Sequence, residues 1–319
     1  MPMNMVVLVS IPPQGMYYRK AISEKYPDLN LKVFTDREEA KAALAEADIL
    51  MAFGASLKKD FFEHAPWLKW VHAMGTGVDG ITDSRHIAKN VLVTSTRGIH
   101  GTPMSEAAIM FMLALARNFP RTLSQQKEQH WQRFFPQLLS GKTLGILGVG
   151  LIAEDLAPRC KALGMQVVGI SRATRKPEGF DRIVPRDNLT AAVADLDFLV
   201  ILIPYEKETH HIVDERVLSA MKPTAFLVNI ARGGVIDEQA LIRALNEGRL
   251  AGAALDAFEI EPLPKGHPLW SAKNTIVSPH MTGTWDGYAV ECFKQFSRNF
   301  DCFVAGQPEK MINREQILP

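Results

Sequence analysis

The chain has almost no imbalance of charge. Its 319 residues carry 36 basic and 35 acidic side chains, a formal charge of +1, so no extended field would gather a polyanion, which argues against nucleic acid as a partner. Cysteine is scarce as well. Cys160, Cys292 and Cys302 show no paired spacing, which argues against a disulfide framework and thiolate-held metal, and for a reducing compartment. Long apolar runs are missing. The longest, Ala107 to Ala116, is about half of the roughly 20 residues a membrane span requires, and reads instead as a buried helix. The start, Met1 to Pro12, lacks the basic run of a signal peptide and reads as a first strand. Internal repeats and low-complexity tracts are also lacking. These absences lead to the expectation of a soluble, cytoplasmic protein with no metal and no membrane partner.

What is present is apolar content, 47% of the chain, enough for two cores at usual domain sizes. Short β-rich runs alternate with longer segments of helical period, the pattern of parallel βαβ units. The first set is Met5 to Ser10, Leu31 to Phe34, Ile49 to Phe53, Trp70 to Ala73 and Val91 to Thr94, with a helix expected over Arg37 to Ala47. The second set is Thr143 to Leu147, Gln166 to Ile170, Phe198 to Ile203, Ala225 to Ile230, Gly252 to Asp256 and Thr275 to Ser278. Long helices are expected at Met104 to Arg117, between the sets, and at Gly287 to Ala305, returning to the first. The fold class that follows is α/β: two Rossmann-like, doubly wound parallel-sheet domains with an active-site cleft between them. Residues 1–99 with 287–319 would form a flavodoxin-like substrate domain, and residues 100–286 a dinucleotide-binding domain.

The strongest local signal is the loop Gly148-Val149-Gly150-Leu151-Ile152-Ala153, set between the strand Thr143 to Leu147 and a helix Leu151 to Leu163 closed by Gly164. In that setting Gly148 permits the tight turn, Gly150 lets backbone approach a pyrophosphate, and Ala153 keeps helix and strand close. The first set has no such loop. Its opening strand runs into Pro12-Pro13-Gln14-Gly15, which offers no open helix N-terminus to a phosphate. About twenty residues past the glycine loop an NAD site usually places an acid for the ribose hydroxyls. Here Ser171-Arg172-Ala173-Thr174-Arg175-Lys176 has none, and a hydroxyl beside a guanidinium suits a 2′-phosphate. NADP is therefore expected in preference to NAD, unless these cations are simply solvated loop charges.

Three further segments carry chemistry. Arg232, in Asn229-Ile230-Ala231-Arg232-Gly233-Gly234, follows a strand end, where open α/β sheets bind ligands, and a guanidinium there can clamp a carboxylate. Glu261, in Glu259-Ile260-Glu261-Pro262, can hold an imidazole and favour its protonated form. His280, in Ser278-Pro279-His280, can then give a proton to a carbonyl oxygen. Each has a blander reading as a loop charge or a packed ring. Spacing alone does not bring them together.

The chain resembles the D-isomer-specific 2-hydroxyacid dehydrogenase family, particularly its glyoxylate and hydroxypyruvate reductase branch. The likeness runs from Leu68-Lys69-Trp70-Val71 and Gly75-Thr76-Gly77-Val78-Asp79 through Asn229 to Glu238 and on to Pro279-His280. It implies catalytic roles for Arg232, Glu261 and His280, with backbone amides near Thr76 and Gly77 holding the substrate carboxylate. It also implies that Asp256 bonds the nicotinamide carboxamide and that Pro204 and Thr209 shape a strand-end turn beside the cofactor. Met104, Gly148, Gly150, Leu151, Ile152, Ser171, Arg172, Ile230, Ala231, His280 and Gly283 complete the expected cofactor contacts. Met104, Met281 and Trp285 are bulkier than the family pattern suggests, and either shape a pocket or pack a core.

The reaction so implied is NAD(P)H-dependent reduction of a small 2-keto acid to the D-2-hydroxy acid. Two other readings share the fold: a formate or phosphite dehydrogenase, and a nucleotide-sensing corepressor-type binding protein. Formate oxidisers are expected to carry glutamine where Glu261 stands, and near-neutral charge without long polar tails argues against the corepressor. The resemblance further implies a homodimer built on the cofactor domain, with Met104 to Arg117 and the segment Asn118 to Phe135, including Trp131 and Phe134, at the contact.

Overall fold

The computed structural model describes residues 2–54, 57 and 60–317. Its chain divides into two compact units, one of Met1–Ile99 with Asp286–Pro319 and one of His100–Trp285.

The first unit holds a six-stranded sheet: β1 (Asn4–Leu8), β2 (Asn30–Phe34), β3 (Ile49–Ala52), β4 (Trp70–Ala73), β5 (Leu92–Ser95) and β13 (Arg314–Glu315), in the order β2-β1-β3-β4-β5-β13. The first five are parallel in a 2-1-3-4-5 winding, and β13 adds an antiparallel edge that sequence reading did not anticipate. A two-residue strand has no periodicity to detect. Helix α1 (Pro12–Lys25) follows β1 and buries Gly15, Tyr18 and Ile22. Pro12 and Pro13 remove its first two N–H groups, and the amides of Gln14 and Gly15 both bond Ile11 O. The N-terminus therefore offers no anion cradle. Helix α2 (Arg37–Ala43) is capped by Asp36, whose carboxylate accepts from Glu38 N and Glu39 N, and a single 3₁₀ turn, Leu44–Glu46, extends it.

Helix α9 (Tyr288–Val304) closes this unit by laying Phe296 on the fully buried Trp70, with ring centroids 5.2 Å apart. Beneath that pair His72 is buried, its Nδ1 meeting Thr94 Oγ1 at 2.9 Å and its Nε2 meeting Thr96 Oγ1 at 3.2 Å. Burial pushes the ring down to about 3 from its ordinary 6.5. The unfolded chain takes up this proton near 6.5 and the folded chain only near 3, so stability is full above pH 6.5 and declines as pH falls toward 3. Spread over that window the loss is roughly 4–5 kcal/mol. Urea unfolding of the His72→Gln variant should therefore show a shallower pH dependence between 6.5 and 3 than the wild type. Parallel curves would refute the linkage.

The second unit holds β6 (Thr143–Leu147), β7 (Gln166–Ser171), β8 (Arg182–Pro185), β9 (Phe198–Ile201), β10 (Phe226–Asn229), β11 (Gly252–Leu255) and β12 (Thr275–Val277). Their order, β12-β11-β10-β9-β6-β7-β8, is parallel throughout, a 3-2-1-4-5-6 winding with a seventh strand appended. Both faces are covered, which is why the central strands are continuous apolar runs. On one face α3 (Gly101–Ala116) packs beside α5 (Leu151–Ala162), and on the other lie α6 (Leu189–Val193), α7 (Glu215–Ala220) and α8 (Glu238–Asn246). The winding reverses between β6 and β9. Ligands of open α/β sheets bind beyond the strand ends at that point. Among the described residues, no helix is long and apolar enough to cross a membrane.

Candidate active site

The turn from β6 into α5 lies at this reversal. Gly148 has φ +105°, and a Cβ there would stand 2.9 Å from Ile203 N, so only glycine fits against the end of β9. Gly150 is the N-cap of α5, with no side-chain cap and open space where its Cβ would be. An uncapped helix N-terminus behind a glycine turn is an anion cradle, and it fits a dinucleotide pyrophosphate. Leu151 is 64% exposed at its mouth, and Ile152 follows in the first turn.

The neighbouring strand ends are closed by local bonds. At the end of β7, Ser171 Oγ accepts from Ala173 N at 3.1 Å. Arg172 is largely exposed and reaches Glu206 at 3.9 Å, whereas Arg175 is paired with Glu154 of α5. After β9, the Thr209 hydroxyl donates to Pro204 O at 2.9 Å and accepts from Glu206 N at 2.7 Å, so its polar capacity is spent on shaping the turn.

Arg232 occupies the turn after β10. Asn229 builds that turn, its Oδ1 accepting from Ala231 N and its Nδ2 donating to Arg232 O at 2.9 Å. Ile230 and Ala231 are buried, and Arg232 is half-buried. The next residue has no room for a side chain. A Cβ on Gly233 would stand 1.9 Å from the carbonyl carbon of Phe258 and 2.2 Å from Glu259 N. This contact seats the Arg232 turn on the loop that carries Glu261.

Glu261 Oε1 accepts from Phe258 N at 3.0 Å, and Oε2 meets His280 Nδ1 at 2.8 Å. A carboxylate only accepts, so Nδ1 carries the hydrogen and Nε2 is left available. Burial raises the Glu261 carboxyl, but the hydrogen bond and charge of His280, the Phe258 amide and the charge of Arg232 outweigh it and hold it below its ordinary value. Glu261 therefore keeps its charge until pH falls through that lowered value. The three groups named from sequence gather in one unit, close enough for Arg232 to act on Glu261.

His280 itself sits in left-handed backbone, φ +51°, uncommon for a non-glycine residue. Asp256, 1% exposed, holds the chain on both sides of it. Its Oδ1 accepts from Ser278 Oγ at 2.6 Å and Met281 N at 3.0 Å, and its Oδ2 from Thr282 N at 3.0 Å and Thr282 Oγ1 at 2.6 Å. Four donors fill the usual acceptor positions of a carboxylate, so any carboxamide would have to share them. That clamp was not legible from spacing.

His100, the N-cap of α3, is a second imidazole here that sequence reading missed. Its Cδ2 lies 3.3 Å from where a Cβ on Gly283 would stand. Burial, and after it the charge of Arg232, pushes its ring down to about 4. Met104 of α3 packs against the core it shares with α5, Met281 is 55% exposed, and Trp285 is half-buried. Thr76 and Gly77 lie in the first unit, in the turn after β4, where Thr76 Oγ1 donates to Thr96 O at 3.0 Å.

The chain is similar in sequence and fold to known proteins. The sequence profile of the D-isomer specific 2-hydroxyacid dehydrogenase NAD binding domain matches residues 109–282. A glyoxylate reductase of Thermococcus gammatolerans is 36% identical over 269 residues, covering 81% of this chain and 80% of that one. A solved D-isomer specific 2-hydroxyacid dehydrogenase family protein from Aeromonas salmonicida superposes with a TM-score of 0.85 at 33% identity, covering 100% of both chains. The NADPH-dependent glyoxylate/hydroxypyruvate reductase of Sinorhizobium meliloti, solved with NADP and sulfate, gives 0.82 at 26% identity over 99% of this chain and 98% of that one. The glycine cradle thus belongs to a nicotinamide-binding domain, and an oxidoreductase is what such a domain serves. With its profile match spanning more than half its length and a relative above 30% identity across most of it, the chain belongs to the D-isomer-specific 2-hydroxyacid dehydrogenase family.

Proposed function

We propose that this protein reduces a small 2-keto acid, glyoxylate or hydroxypyruvate foremost, to the D-2-hydroxy acid with NADPH as the preferred cofactor. The observation that carries the reading is the His280–Glu261 pair beside Arg232, on the cofactor unit itself. Gly148 to Ile152 would hold the pyrophosphate of a nicotinamide cofactor, which would supply the hydride for the carbonyl carbon. The chain's own residues do the rest. Arg232 clamps the substrate carboxylate and polarises the adjacent carbonyl. His280, anchored through Nδ1, passes the proton on Nε2 to the carbonyl oxygen, which completes the alcohol. Glu261 keeps the ring oriented and favours its protonated form. Thr76 and Gly77 are carried over as substrate ligands from the family resemblance.

A carboxylate at Glu261, where glutamine is expected in formate oxidisers, favours keto acid reduction over that alternative. The preference for NADPH rests on the absence of an acid in residues 171–176 and on Arg172, whose guanidinium lies 3.9 Å from Glu206. Initial rates on a panel of small keto acids with NADPH and NADH test both parts together. Turnover of no keto acid with either cofactor would sink the reaction. Arg172→Asp should lower kcat/KM for NADPH at least about tenfold relative to NADH, the scale of one charge-assisted hydrogen bond. An unchanged preference would sink the cofactor assignment.

The reading includes a homodimer. Helix α3 exposes Met110 and Leu113, α4 (Phe119–Lys127) exposes Phe119 and Leu123, and Trp131 and Phe135 beyond it are 90% and 103% exposed. So many exposed apolar side chains along one stretch of chain favour an interface, and a second copy is the occupant the family resemblance supplies. In the same preparation the protein should elute at twice its chain mass.

A further inference from the structure

We propose that His211 is a positioning residue that ties the Arg232 turn to the Glu261 loop, through its backbone to the first and through its ring to the second. Its N–H donates to Gly234 O at 2.9 Å, and its Nε2 meets Glu259 Oε1 at 2.6 Å. One residue thus grips both catalytic segments, two positions beyond Arg232 and two before Glu261. The grip has a conformational cost. His211 sits at φ +49°, left-handed backbone that a non-glycine residue adopts where its surroundings hold it.

The neighbours of His211 hold that pose. Its ring stacks on His210 at 3.9 Å between centroids, and His210 Nδ1 lies 3.2 Å from Tyr205 Oη. The Tyr205 ring packs on Gly234, where a Cβ would stand 2.6 Å from it. On the far side of Glu259, its N–H donates to Glu238 Oε1 at 2.7 Å, and Glu238 Oε2 lies 3.8 Å from His267 Nε2. Three carboxylates, Glu238, Glu259 and Glu261, are thereby each matched with an imidazole, His267, His211 and His280. The His280 pair belongs to the reaction. The other two hold the loop on which that pair depends.

The His211–Glu259 pair is about a third exposed, 36% and 37%, and pairs of that kind add little to stability. What it sets is the distance between the Arg232 and Glu261 segments. Small misplacements of catalytic groups are costly to rate, so its loss is felt in kcat more than in folding.

This inference rests on the proposed roles of Arg232, Glu261 and His280, and its test keeps the two separable. In His211→Ala, kcat for keto acid reduction should fall about tenfold with KM and NADPH affinity nearly unchanged. His211→Gln, which keeps a donor for Glu259, should recover most of that loss. Following the His280 ring by NMR in the unliganded protein adds a readout that needs no turnover. A displaced His280 ring N–H resonance in His211→Ala supports the tether even if no keto acid is reduced. A wild-type kcat and an unmoved His280 resonance in His211→Ala overturn it. So does a loss that glutamine fails to recover and that merely follows a lower melting temperature.

Discussion

If His280 is the proposed proton donor, replacing it with asparagine should lower kcat for keto acid reduction by about 10²–10⁴-fold, the range for removing a general acid, and leave NADPH affinity nearly unchanged. Asparagine preserves a donor toward Glu261 and tolerates the left-handed backbone at φ +51°, so the turn held by Asp256 survives the change. The proton on Nε2 is what disappears. In the proposed reaction that proton is needed only as the carbonyl oxygen gains charge, so the loss should appear in kcat and kcat/KM alike, with little change in KM. Fluorescence titration with NADPH and steady-state kinetics on one preparation separate the two effects. A variant retaining more than about a tenth of the wild-type kcat would remove His280 from the role of proton donor.

Gly233→Ala should be nearly as damaging, though it deletes no functional group. The added methyl would stand 1.9 Å from one backbone atom of Phe258 and 2.3 Å from another, and backbone cannot rotate aside as a flexible side chain can. Either the Arg232 turn or the Glu261 loop must retreat. A retreat of about 1 Å between groups that act together is enough for roughly a 10²-fold loss of rate, and overpacking of this kind costs about 1–3 kcal/mol of stability. Gly248→Ala is the control. Gly248 has φ +71° with nothing within 4 Å of an added Cβ, so alanine there should cost about 1 kcal/mol and leave kcat intact. If Gly233→Ala behaved like Gly248→Ala, the seating of Arg232 against Glu261 through this contact would be wrong.

Much of the architecture could be read directly because parallel strands covered on both faces are uninterrupted apolar runs. Thr143–Leu147 and Trp70–Ala73 have the bounds expected of them, and most other expected strands differ by one or two residues at an end, as strands do where side-chain pattern fades into the turn. The edge strands β8 and β13 escaped notice for the opposite reason. Arg182–Pro185 and Arg314–Glu315 are short, polar at the ends and defined by a neighbour's hydrogen bonds. Helix α1 was also unread, because Pro12-Pro13 looks like the end of an element when it is the beginning of one.

The candidate site divides along the same line. Glycines 148 and 150, and Arg232, Glu261 and His280 as chemical types, are visible in one dimension because each lies at a strand end in a recognisable segment. The pairing of His280 with Glu261, the Asp256 clamp, the neutral His100 and the His211 tether are not. The bonds of Glu261, Asp256 and His211 join residues 19 to 48 positions apart, across turns that become neighbours only when β9, β10, β11 and β12 lie side by side, and His100 is farther still in sequence from Arg232 and Gly283. Sequence alone determined the class of fold and placed candidate side chains at the strand ends, since local patterning and residue chemistry suffice for both. Only the folded chain decided which acid meets which imidazole, because a hydrogen bond depends on distances that strand order creates.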